Sequence, residues 1–179
     1  MNIRLPLMVV AMMMSASCTG AFAQPLNTAL VDLEFLEGHW KVQAGKNTTS
    51  RLYGALERGT SDISVTANGQ ALIKQDHFYL VGVEGQMLGS ADPVMLIYPE
   101  ASTLHGEQVS GRGVVHYTAT HVEHGKSVTF ESTSADGTLR LTYLLKAPDT
   151  VSMTSESRKS GGTAFEVIAT QTLQKDAKP

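Results

Sequence analysis

From Val115 onward, apolar and polar positions alternate almost residue by residue. Val115, Tyr117 and Ala119 alternate with His116, Thr118 and Thr120, and Val128 and Phe130 with Thr129 and Glu131. Leu139, Leu141, Tyr143 and Leu145 stand between Arg140, Thr142, Leu144 and Lys146. Phe165, Val167 and Ala169 alternate with Glu166, Ile168 and Thr170. A period of two sends successive side chains to opposite faces of a strand, so each segment predicts one dry and one wet face. Turn signals separate segments of strand length at Gly45-Lys46-Asn47, Asn68-Gly69, Asp92-Pro93, His124-Gly125, Asp136-Gly137, Ala147-Pro148-Asp149 and Gly161-Gly162. Asp136-Gly137 and Ser160-Gly161-Gly162 have hairpin chemistry, because residues tolerant of positive φ let a tight turn follow strand twist.

The period changes only near the start. Leu26, Ala29, Leu30, Leu33 and Leu36 recur at helical spacing and Gly38 is a natural stop, which predicts a short amphipathic helix. Many hairpin-linked strands with one apolar face each, and no helices to cover a sheet, must pack as a sandwich or close on themselves. The fold class expected is all-β: a single antiparallel up-and-down β-barrel of nine or ten strands, entered through a short N-terminal helix.

Residues 1–23 differ in character. One cation, Arg4, precedes an apolar run from Leu5 to Met14, and Ala21-Phe22-Ala23 supplies a small-x-small site before Gln24. This is the layout of a secretory signal peptide, and the run is too short for a permanent bilayer span. Residues 24–174 then form the barrel domain and 175–179 a disordered tail, and the protein is expected in the periplasm or secreted. The single cysteine, Cys18, falls within the signal, leaving no disulfide framework. The alternative is a lipoprotein anchored to a membrane through Cys18, since Ser15-Ala16-Ser17 ahead of it are small.

The formal net charge is -3 at pH 7, with charged residues scattered and no basic cluster. Nucleic acids and anionic membranes select for a concentrated cationic face, so neither is expected as a partner. A small hydrophobic molecule remains.

The segment Phe35-Leu36-Glu37-Gly38-His39-Trp40 holds the only tryptophan in the chain. A short helix, then Gly-x-Trp on the first strand, then antiparallel strands throughout, resembles the calycin group: lipocalins, fatty-acid-binding proteins and nitrobindin-like barrels. Bacterial domains of unknown function that open on FLxGxW are the most similar. The resemblance covers most of residues 26–174 and is strong at the opening. It implies that Trp40 closes one end of the barrel and that a basic side chain from a late strand packs across its ring, with Arg158 the first candidate and Arg140 the second.

Candidate chemistry is sparse. His121-Val122-Glu123-His124 lacks the helical HExxH frame that aligns zinc ligands, and His116 and His121 would face opposite sides of a continuous strand. Nitrobindin-like barrels hold haem through a late histidine, whereas no histidine follows His124 here; only His77 or His116 could substitute. Neither metal nor cofactor is expected. No G-x-S-x-G occurs, and Gly111-Arg112-Gly113 lacks the third glycine and helix of a phosphate loop. Asn47-Thr48-Thr49 reads as a loop. The dry face remains: Tyr117, Phe130, Tyr143, Met153 and Phe165 would line a barrel interior as apolar walls with a few hydroxyls, the makeup of a small-molecule pocket. The function expected is binding or carriage of a small hydrophobic ligand inside the barrel. The alternative is a small hydrolase or isomerase using His116 with Glu131 on a neighbouring strand.

Overall fold

A computed structural model describes residues 26–45, 55–81, 84, 86–111 and 113–176. The signal-peptide reading, Cys18 and the Asn47 loop lie outside the described residues. The helix at the start is shorter than the spacing predicted. α1 covers Thr28–Val31, and a separate 3-10 turn covers Glu34–Leu36. The buried residues Leu30, Leu33 and Leu36 are spaced by three throughout, which suits three residues per turn, and Leu33 N–H and Leu36 N–H donate to the carbonyls of Leu30 and Leu33.

Eleven strands follow: β1 (Gly38–Ala44), β2 (Ala55–Thr66), β3 (Ala71–Val81), β4 (Met87–Ala91), β5 (Val94–Glu100), β6 (Thr103–Ser110), β7 (Gly113–Glu123), β8 (Ser127–Ser134), β9 (Gly137–Ala147), β10 (Thr150–Lys159) and β11 (Glu166–Lys175). All pairings are antiparallel, in the order β1-β11-β10-β9-β8-β7-β6-β5-β3-β2, and β2 also pairs with β1, so ten strands close into a barrel. The eleventh, β4, continues the line of β5 along β3: Phe78 opposes Ala91 and Gln75 opposes Val94 in one unbroken register. Asp92-Pro93 interrupts what is geometrically one strand, and Asp76 N–H still finds the Pro93 carbonyl at 3.0 Å.

The inward faces build one core. Leu30, Leu33, Leu36 and Trp40 fill one end, and Phe130, Tyr143, Val151 and Leu173 continue it along the axis. β11 runs through Lys175, whose N–H donates to Asp149 O at 2.7 Å, and Asp176 N–H donates to His39 O at 2.8 Å. The ordered chain thus passes the boundary expected at residue 174, because backbone pairing with β1 holds it there.

Two bulges re-aim side chains that strict alternation misplaces. On β7, Ala119 opposes Phe130 while His121 opposes Thr129, leaving Thr120 as an extra residue. On β11, Ala169 opposes Ser155 while Val167 opposes Glu156, leaving Ile168 extra. Each inserted residue reverses the inside-outside phase beyond it.

Candidate functional site

The barrel interior is not filled along its whole length. At the end away from α1 lies a partly open cavity of about 250 Å³. Tyr117 of β7, Tyr143 of β9 and Met153 of β10 line it, together with Lys74, Asp76 and Gln108. Phe130 is fully buried deeper in the core and does not line the cavity. Phe165 is placed differently from the sequence reading. The extra residue Ile168 reverses the phase of β11, and Phe165 packs against the guanidinium groups of Arg140 and Arg158, 3.7 and 4.6 Å from its ring centroid. It stacks on these cations and does not line the cavity, although Arg140 itself does.

The tryptophan partner is likewise corrected. Trp40 is fully buried and its indole N–H donates to Leu36 O at 2.8 Å. The cation over its ring is Lys175, at 5.3 Å from the centroid, because β11 pairs with β1 and sets Lys175 opposite Trp40. Trp40 is level with the start of β10 near Thr150, whereas Arg158 and Arg140 stand toward the opposite end of β10 and β9 and serve Phe165 instead.

The residues that sequence reasoning missed are Lys74 and Asp76. Leu72, Lys74, Asp76 and Phe78 share the inward phase of β3, so the segment Lys74-Gln75-Asp76 sends two opposite charges into the barrel. Both side chains are at least 95 % buried, and the Lys74 ammonium donates to Asp76 Oδ2. The other carboxylate oxygen, Oδ1, has no hydrogen-bond partner among the described residues. Ser61, directly across on β2, carries a second buried hydroxyl in the same condition. The signal was present in the sequence: a charged pair in phase with Leu72 and Phe78, where a solvated strand face would be out of phase with them.

The surrounding phenols respond to this setting. Burial, then the Asp76 charge, then Tyr117, push the Tyr143 hydroxyl well above the usual phenol range, and burial raises Tyr117. Tyr117 O–H reaches Gln108 Oε1 at 3.5 Å. The cavity thus joins an apolar wall to a patch that combines a buried ion pair, neutral phenols, an amide and the Arg140–Glu156 pair, joined at 2.8 Å.

The histidines lie elsewhere. His116 is on the outer wall, 3.3 Å from Glu107 on β6, whereas Glu131 faces Arg140 at 3.9 Å. The pairing of His116 with Glu131 expected for an enzyme is therefore absent: the strand register sets Glu107 opposite His116, and Glu131 opposite Thr118. The bulge at Thr120 puts His121 on the outer wall as well, but exposed and apart from His116. His39, His77 and His124 pair with Asp62, Asp92 and Asp32 on the surface. Among the described residues, no three His, Cys, Asp or Glu side chains come together to hold a metal ion.

No protein-family model and no curated protein matches the chain. Among solved structures it is similar to a redesigned β-barrel, with 12 % identity and a TM-score of 0.40 over 82 % of this chain and 96 % of that one. The closed ten-stranded barrel rests on the strand pairing itself.

Proposed function

We propose that this protein is an exported, calycin-like barrel that binds a small, largely apolar molecule in the cavity at its open end. One observation carries the reading: Tyr117, Tyr143 and Met153 converge from three strands on a partly open interior space beside a few polar groups. Apolar walls with a small number of placed polar groups are the usual composition of a ligand site. At about 250 Å³ the space lies just below the common range of roughly 300 to 1,000 Å³, which favours a ligand of about ten heavy atoms. The sequence features that support export are the run from Leu5 to Met14 and Ala21-Phe22-Ala23.

The test is native mass spectrometry of protein purified from its own compartment, followed by calorimetry with eight-carbon probes. The expected result is a retained small-molecule adduct that Met153→Trp, which fills the cavity, removes while the fold persists. A barrel that carries no adduct and binds no probe overturns the proposal.

A further inference from the structure

We propose that Asp76 is the ligand-recognising group of the cavity and that it takes the hydroxyl of a small neutral alcohol, an apolar body bearing one O–H. This rests on the container reading above and adds the chemistry of the ligand's polar end.

The Asp76 carboxylate is incompletely paired. A carboxylate in a low-dielectric interior needs all its acceptor sites met, and a buried polar atom left without a partner costs on the order of 1 to 3 kcal/mol. Lys74 satisfies Oδ2 and is itself held inside the barrel by that bond. Oδ1 stays unpartnered among the described residues, although Asp76 is one of the residues lining the cavity. The unpartnered acceptor and the open space belong to one side chain, and a turn of the carboxylate presents Oδ1 to the cavity. What completes the carboxylate is therefore a donor brought in by the ligand.

Charge then narrows the donor. Lys74 and Asp76 together are neutral, and so are Arg140 and Glu156, the other charged pair lining the cavity, joined at 2.8 Å; an incoming carboxylate or phosphate therefore meets two cations whose charges are already balanced and two carboxylates that repel it. An incoming ammonium is a further cation competing for carboxylates that Lys74 and Arg140 already hold. Either would be desolvated without a counter-ion of its own, which is the costly case for a buried charge. A neutral donor avoids both costs. Among neutral donors a hydroxyl fits best, because it donates to Asp76 Oδ1 while accepting from a phenol, and Tyr143, whose ionisation the Asp76 charge opposes, lines the same cavity. It is also the smallest such group, as a cavity of about 250 Å³ requires.

The experiment compares four chain-matched probes by calorimetry at pH 7: 1-octanol, heptyl methyl ether, octanoate and octylammonium. The ether has the size and acceptor of the alcohol and lacks only its donor. We expect octanol to bind at least tenfold more tightly than the ether and than either ion. In the paired variant Lys74→Met with Asp76→Leu, which leaves no unpaired charge, the preference for octanol over the ether should fall to less than threefold while both still bind. The ranking in the unaltered protein needs no variant, so a variant that fails to fold leaves the test intact. Equal affinity for octanol and ether overturns the head-group assignment and leaves the container reading standing. Tightest binding of octanoate makes Lys74 the recognising group, and tightest binding of octylammonium a cation site; either overturns the neutral-alcohol inference. If none of the four binds, the container reading fails with it.

Discussion

Lys175 and Trp40 face each other across the β1–β11 pairing, with the ammonium 5.3 Å from the centre of a fully buried indole. The last strand thus reaches back to cover the residue that fills the first. The energies on the two sides of this contact are unequal. Trp40→Ala removes a large core side chain and should cost about 3 to 5 kcal/mol. Lys175 is exposed, so Lys175→Ala should cost about 0.5 to 1 kcal/mol, as for a cation over an aromatic face at the surface. Urea denaturation of the single and double variants should give a coupling of that smaller size. Arg158→Ala should show no coupling to Trp40, since Arg158 lies over Phe165.

The Lys74–Asp76 pair should behave as a buried ion pair, in which losing one partner is worse than losing both. Asp76→Leu alone leaves the Lys74 ammonium buried without its partner and should cost about 3 to 5 kcal/mol. The paired Lys74→Met with Asp76→Leu variant should recover most of that loss, because apolar groups of similar volume replace both charges. Chemical denaturation of the three proteins checks the order. A paired variant less stable than the single one would mean that Lys74 and Asp76 do not share one buried interaction.

Tyr143 sets an alkaline limit. Its hydroxyl is held neutral in the folded protein by burial and by the Asp76 charge, while in the unfolded chain it ionises near pH 10. Below about pH 10 both states keep the proton and stability is indifferent to this group. Above it only the unfolded chain releases the proton, so stability should fall by about 1.4 kcal/mol per pH unit from this residue. Thermal melts between pH 9 and 11.5 should show the decline, and Tyr143→Phe, which keeps the ring and removes the ionisable group, should flatten it.

Much of the barrel was legible because burying one face of each strand imposes the period of two, and Trp40 after Gly38 marked the first strand. What escaped has physical causes. The bulges at Thr120 and Ile168 insert single residues that periodicity cannot register, so strict alternation puts Phe165 in the interior and His121 on the face opposite His116. A reading that equates inward with apolar passes over Lys74 and Asp76, whose charges are tolerable inside only because they neutralise each other. Lys175 reads as tail because its partner, β1, lies at the far end of the sequence.

Two glycines give a final test of how the wall is packed around the cavity. Gly59 on β2 lies opposite Phe78 on β3, and a Cβ there would stand 2.3 Å from the His77 carbonyl oxygen and 2.6 Å from the Phe78 ring. A backbone atom cannot move aside without parting β2 from β3, so Gly59→Ala should cost roughly 2 to 3 kcal/mol, toward the upper end of overpacking changes. At Gly106 the same Cβ would stand 2.4 Å from Met95 Cε, the free end of a flexible side chain. Met95 can change rotamer, and alanine also restricts the unfolded chain, so Gly106→Ala should cost less than about 1 kcal/mol. Because Phe78 lines the cavity, Gly59→Ala should also weaken binding of 1-octanol where Gly106→Ala leaves it within twofold. Equal losses of stability in the two variants would mean that β2 and β3 can separate locally as easily as one methionine can turn.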